Sequence, residues 1–169
     1  SAQPAIDPTT GDLTFTPAAN ANGSAIVRVR LGDNGGTSNG GVDSSAVETF
    51  TITVTDVNDA PSFAAGTAPT VLEDCGAQTI TAWAQNISAG PSDESSQTLA
   101  FTITNDNTAL FSSQPSINAA GDLSFTPVAN ANGSATVRIK LADNGGTVNA
   151  GVDTVIVNFT ITVTDVNDA

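Results

Sequence analysis

Asp56, Asn58 and Asp59 place three oxygen-bearing side chains within four residues, directly after a strand-like run. Ca²⁺ takes about six to eight oxygens at roughly 2.3 to 2.6 Å from carboxylates, amides and main-chain carbonyls in flexible loops, and this cluster offers such oxygens at a domain edge. The bland alternative is a strand that ends in turn-forming residues. The overall charge favours a cation: 17 acidic against 4 basic residues leave a net charge of −13. Two close carboxylates repel by about 4 kcal/mol at an effective dielectric near 20, so a bound divalent ion would relieve a real cost. The same field repels phosphate backbones and anionic lipid, which argues against nucleic acid and against direct membrane insertion.

Other chemistries fail on inventory. With no histidine there is no ordinary proton shuttle near neutral pH, and the single cysteine, Cys75, has no evident base to activate it. One cysteine also excludes an internal disulfide and a multi-cysteine zinc site, so Cys75 is expected to be a small buried filler. Asp93-Glu94 and Glu73-Asp74 are adjacent pairs that would point apart on strands, unlike the facing carboxylates of a glycosidase. The Asp33 to Asp43 segment resembles a calcium loop only superficially, because it lacks the D-x-[DN]-x-[DN]-G spacing. No catalytic, and no organic cofactor, site is expected.

The elements that must position these residues come in a tandem repeat. Phe159 to Ala169 repeats Phe50 to Ala60 letter for letter as FTITVTDVNDA, a period of 109 residues. Gly11 to Leu31 and Gly121 to Leu141 agree at 16 of 21 positions, so both copies share one fold. The stretch from Ala64 to about Phe111 has no earlier counterpart. Residues 1–60 are therefore expected to be the C-terminal half of one β-sandwich and residues 61–169 a complete one, and the chain is expected to be an excerpt of a longer protein.

Sparse aromatics with abundant Thr, Val, Ala, Asn and Gly predict an all-β chain of thin two-layer sandwiches. Period-two alternation in Phe50-Thr51-Ile52-Thr53-Val54-Thr55 marks a half-buried strand. Val27 to Leu31 and Val137 to Leu141 alternate likewise and put Arg28, Arg30, Arg138 and Lys140 on outward stripes, where cross-strand pairing is the favoured role. Asn22-Gly23 and Asn132-Gly133 predict hairpins. In the full unit, seven strands are expected near 69–73, 78–83, 98–104, 114–118, 122–126, 134–141 and 155–164, a count that fits a Greek-key sandwich. Trp83 reads as a core anchor rather than a sugar-stacking platform, and Phe101, Phe125 and Phe159 as core residues. No signal peptide is recognisable, and no apolar run is long enough to cross a bilayer.

Thr55-Asp56-Val57-Asn58-Asp59-Ala60-Pro61 resembles the cadherin interdomain linker in its D-x-N-D spacing. Together with Gly11-Asp12-Leu13-Thr14-Phe15-Thr16-Pro17, it resembles still more closely the cadherin-like and immunoglobulin-like tandem repeats of giant bacterial surface adhesins, the VNDAP type. The resemblance implies further calcium ligands at Asp93 and Glu94 and at Asp143, converging on residues 56–59. It also implies that Glu73, with Asp74, serves the far end of the repeat beside Asp165, Asn167 and Asp168. Where cadherins carry an acidic L-D-R-E segment, this chain has Val128-Ala129-Asn130-Ala131-Asn132-Gly133, so fewer or weaker ions are expected.

The expected function is a non-catalytic structural or adhesive module of a large secreted or cell-surface bacterial protein, a rod stiffened by Ca²⁺. Its partners would be neighbouring repeats of the same or identical chains, with a surface glycan or protein ligand engaged through other domains. The alternative is a subunit of an extracellular filament, in which the half-repeat is completed by strands from a neighbour. A carbohydrate-binding appendage would need an exposed aromatic platform.

Overall fold

The computed structural model describes residues 1–167, and the chain divides into two units, Ser1–Asp56 and Val57–Ala169. It is all-β, and among the described residues the helical segments are short 3-10 turns in the loops between strands.

The first unit has four strands, β1 (Ala2–Ile6), β2 (Leu13–Thr16), β3 (Gly23–Val29) and β4 (Glu48–Val54). β1 pairs antiparallel with β2, and β3 with β4 in the register Val27↔Phe50 and Ala25↔Ile52. The alternating residues Phe50, Ile52 and Val54 are half-buried, while the threonines between them are exposed.

The second unit has β5 (Ser62–Ala65), β6 (Thr70–Leu72), β7 (Gln78–Ile80), β8 (Ala84–Ser88), β9 (Ala100–Asn105), β10 (Phe111–Ile117), β11 (Leu123–Pro127), β12 (Gly133–Ala142) and β13 (Thr154–Thr164). One sheet runs β6-β13-β12-β9 and another β10-β11-β7, and β5 pairs with β8. β12 and β13 form the longest ladder, from Gly133↔Val163 to Ala142↔Thr154, and β6 lies parallel to β13. The inward alternation of β12 and β13 puts Val137, Ile139, Ile161 and Val163 in the core against Leu123 and Phe125 of the facing sheet. Full burial of each such side chain contributes about 1.5–3 kcal/mol. Trp83 is buried, its ring 4.4 Å from Phe159, and its Nε1–H donates to Thr67 O at 2.8 Å, which satisfies the indole's only polar atom.

Several expectations are corrected. β5 and β8 were not anticipated, because SFAA and AQNIS are short, rich in small residues and lack clean alternation. The expected 78–83 strand stops at Ile80: Ala82 has φ +50° and its N–H donates to Asp122 Oδ1 at 2.9 Å, so the chain turns and delivers Trp83 inward. The Asn-Gly segments are not hairpins. They carry the chain from one sheet to another, β2 to β3 and β11 to β12, and the asparagines with positive φ are Asn20 and Asn130, each two residues earlier than expected. Cys75 is exposed in the turn after β6, not buried. The residues directly opposite Arg138 are Asn158 and Thr104, those opposite Lys140 are Ile156 and Thr102, and Arg28 faces Thr49, so the basic stripes do not meet carboxylates directly across the ladder.

Candidate metal centre

One corner of the second unit gathers four of the residues singled out in the sequence. Asn58, buried just after the unit's start, holds two segments distant in the chain. Its Nδ2 donates to Asp143 Oδ1 at 3.1 Å and to Val152 O at 2.7 Å, while Val152 N–H donates to Asn58 O at 2.9 Å. Next to it, Asp59 N–H donates to Glu94 Oε1 at 2.7 Å. Glu94 ends the 3-10 turn Ser92–Glu94 and is 3% exposed. Asp143 follows β12 and also accepts from Gly145 N–H at 2.9 Å, which bends the loop back over Asn58.

The packing here is close. A Cβ added to Gly145 would overlap Asn58 Oδ1 and lie 2.6 Å from Gln97 Nε2; one added to Gly90 would overlap Glu94 Oε2 and lie 3.5 Å from Asp59 Cβ. Gln97, which the sequence reading missed, donates through Nε2 to Asn58 Oδ1 at 2.7 Å. Nothing in the sequence around Gln97 marks it, because its role depends on the turn made by Glu94, whose carbonyl accepts Gln97 N–H at 2.9 Å.

Three buried oxygens in this corner accept no hydrogen bond from the described residues: Glu94 Oε2, Asp143 Oδ2 and Gln97 Oε1. A buried acceptor without a donor costs about 1–3 kcal/mol, more when it is charged. A cation beside these atoms would offset that cost. Among the described residues, however, no three His, Cys, Asp or Glu side chains form a ready metal cage. An ion would have to use Glu94 and Asp143 together with amide and main-chain oxygens, a donor mixture that suits Ca²⁺ and not zinc. Asp93 is exposed on the same 3-10 turn. Asp56 lies in the first unit, where its Oδ1 accepts from Asn22 Nδ2 at 3.0 Å.

The opposite set also assembles in part. Glu73, 4% exposed, accepts from Val166 N–H through Oε1 at 2.8 Å and from Asn132 Nδ2 through Oε2 at 3.5 Å. Asn132 Nδ2 also donates to Asp165 Oδ1 at 3.0 Å. The loop in which acids were found wanting thus supplies a neutral donor between two carboxylates, and Asn22 makes the matching bond to Asp56 in the first unit. The repeated ANANG letters carry this signal, but in sequence alone they indicate only turn chemistry. Asp74 Oδ1 instead accepts from Asn130 N–H at 3.0 Å. Asn167 is exposed, and Asp168 lies outside the described residues. In the Asp33 to Asp43 segment, Asp33 Oδ1 accepts from Gly35 N–H at 2.7 Å, an Asx turn.

Elsewhere, three carboxyls are held below the usual aspartate range by hydrogen bonds to the charged form: Asp7 chiefly by Thr9 N–H, Asp106 chiefly by the Thr136 side chain and then its N–H, and the half-buried Asp122 chiefly by Ala82 N–H. These carboxylates order turns and take no part in either corner.

Residues 78–168 match the model of a family described as the lipoprotein associated domain. No curated protein matches the chain. The family match overturns the resemblance to cadherin-like and immunoglobulin-like adhesin repeats. The motifs behind that resemblance are short, one covering a strand end and the other a turn with the single strand β2, whereas the match spans most of the second unit, from β7 to the end of β13 and beyond.

Proposed function

The chain belongs to the lipoprotein-associated domain family, and from that membership we propose that it is a non-catalytic structural module displayed at the outside of the cell envelope, with Ca²⁺ bound at the Asn58–Glu94–Asp143 corner. A family associated with lipoproteins supports an envelope location. A surface of net charge −13 without histidine suits a spacer in contact with solvent better than a reaction centre. Its neighbours would be repeats of the same kind, and any adhesive contact would be made by other surfaces of the protein that carries it.

The observation that carries the ion is the pair of buried carboxylate oxygens, Glu94 Oε2 and Asp143 Oδ2, that no donor satisfies. Asp59, Asn58 and Gln97 line the same corner and can complete an oxygen shell. The ion's part is electrostatic: it would pin the loop after β12 to the segment that opens the unit, which stiffens the module. Thermal unfolding in millimolar Ca²⁺ and in excess chelator tests the proposal. Binding to the folded state stabilises by RT ln(1 + [L]/Kd), about 2.7 kcal/mol at one hundred times Kd, so a rise of several degrees is expected. An unchanged midpoint in both conditions would remove calcium from this reading.

A further inference from the structure

Strands β1 to β4 repeat β10 to β13 in order, in sequence and in pairing. Gln3-Pro4-Ala5-Ile6 matches Gln114-Pro115-Ser116-Ile117, and Ile6↔Leu13 repeats Ile117↔Leu123. Val27↔Phe50 likewise repeats Val137↔Phe159. In the second unit these strands have three further neighbours: β7 beside β11, β9 beside β12, and β6 beside β13. The first unit's sheets contain only β1-β2 and β3-β4 among the described residues.

The consequence shows in matched side chains. Leu13 is 39% exposed where Leu123 is 0%, Phe15 42% where Phe125 is 1%, and Leu31 72% where Leu141 is 0%. Phe15, Ala25, Ile52 and Val54 line an open groove of about 220 Å³, and their counterparts Phe125, Ala135, Ile161 and Val163 lie in the second unit's core.

We propose that the first unit is a receptor for a polypeptide segment with the sequence pattern of residues 61–111. Three of its strands, the counterparts of β7, β9 and β6, would lie antiparallel to β2, antiparallel to β3 and parallel to β4, and its tryptophan would enter the groove. The occupant follows from the receptor's own letters. The surface that residues 61–111 cover in the second unit recurs in the first at 16 of 21 positions in one stretch and 11 of 11 in the other. Of the five differences, the one on a core-facing position within the strands is Val29 for Ile139, a single methylene. Unsatisfied ladder edges on β2, β3 and β4 add main-chain hydrogen bonds to the apolar gain. The corner that would receive the segment's counterpart of Glu73 is already formed, because Asn22 holds Asp56 at 3.0 Å as Asn132 holds Asp165 at 3.0 Å beside Glu73.

The test extends the full chain with a copy of residues 61–111 joined ahead of Ser1. Ser112 aligns with Ser1, so the Phe-Ser junction reproduces Phe111-Ser112. Amide hydrogen exchange is followed in excess chelator, which separates this outcome from the calcium reading. In the unextended chain, amides of Gly23–Val29 should exchange roughly 100-fold faster or more than those of Gly133–Ala142; in the extended chain they should slow to within about tenfold. The same extension carrying Trp83→Asp in its copied tryptophan should restore fast exchange. The second unit's own protection reports in each molecule that the chain has folded. Fast exchange of β3 and β4 in an extended chain whose second unit is protected overturns the proposal. So does an unextended chain that sediments as a dimer with β3 and β4 protected while residues 61–111 keep their protection within the second unit, since another surface of a second copy would then be the occupant.

Discussion

Asn58 and Val152 hold each other through two hydrogen bonds, Val152 N–H to Asn58 O at 2.9 Å and Asn58 Nδ2 to Val152 O at 2.7 Å. A side-chain amide thus continues main-chain pairing where no strand is present. It ties the segment that opens the second unit to the loop between β12 and β13, and its remaining amide contacts reach Asp143 and Gln97.

Asn58→Ala should therefore destabilise the second unit by about 1–3 kcal/mol, because Val152 O and Asp143 Oδ1 lose a buried donor. Urea denaturation in chelator measures this. A change within about 0.5 kcal/mol would mean that water replaces the amide without loss.

Glu94→Gln separates the carboxylate's roles. The neutral amide keeps an acceptor for Asp59 N–H but removes the charge from an oxygen that accepts no bond. In chelator the variant should be as stable as the parent or more so, and Ca²⁺ should no longer raise its midpoint. A calcium response equal to that of the parent would assign the ion to other residues.

Gly145→Ala tests the closeness of the corner. The added methyl overlaps Asn58 Oδ1, so the loop must shift, at a cost of about 1–3 kcal/mol of overpacking. Gly146→Ala beside it meets no atom within 4 Å but must hold φ +83°, so its penalty comes from backbone strain alone. Calorimetry of both, with and without Ca²⁺, should show that only Gly145→Ala weakens the ion response.

Acid should destabilise the fold through carboxyls outside both corners. Asp106 and Asp122 have lowered pKa values in the folded state, so their contribution is fully present above the unfolded value near 3.8 and is lost as pH falls through the lower folded value. Asp122→Asn should flatten the acid limb of a stability-versus-pH curve below about pH 4 and leave its shape near pH 7 unchanged. An unaltered acid limb would show that the bond from Ala82 N–H does not discriminate between the charged and neutral forms.

Repetition, strand periodicity and core identity were legible in the sequence because each is a local or translational property. FTITVTDVNDA appears twice, Val137, Ile139 and Leu141 alternate with charged residues, and Trp83 sits where only the interior suits it. Family membership was not legible from motifs: D-V-N-D follows a strand end and G-D-L-x-F-T-P covers one turn and one strand, while the family match extends over residues 78–168. Tertiary structure alone decided where polar groups meet. Asn132 stands between Glu73 and Asp165 although 59 and 33 residues separate it from them, and Gln97 reaches Asn58 across 39. The Asn-Gly segments change sheets instead of closing hairpins for the same reason: a tight turn sets local dihedrals, but which sheet receives the next strand depends on the apolar face it must cover. Letters common to both copies leave Phe125 buried and Phe15 exposed, because burial belongs to the strands around a residue and not to the residue itself.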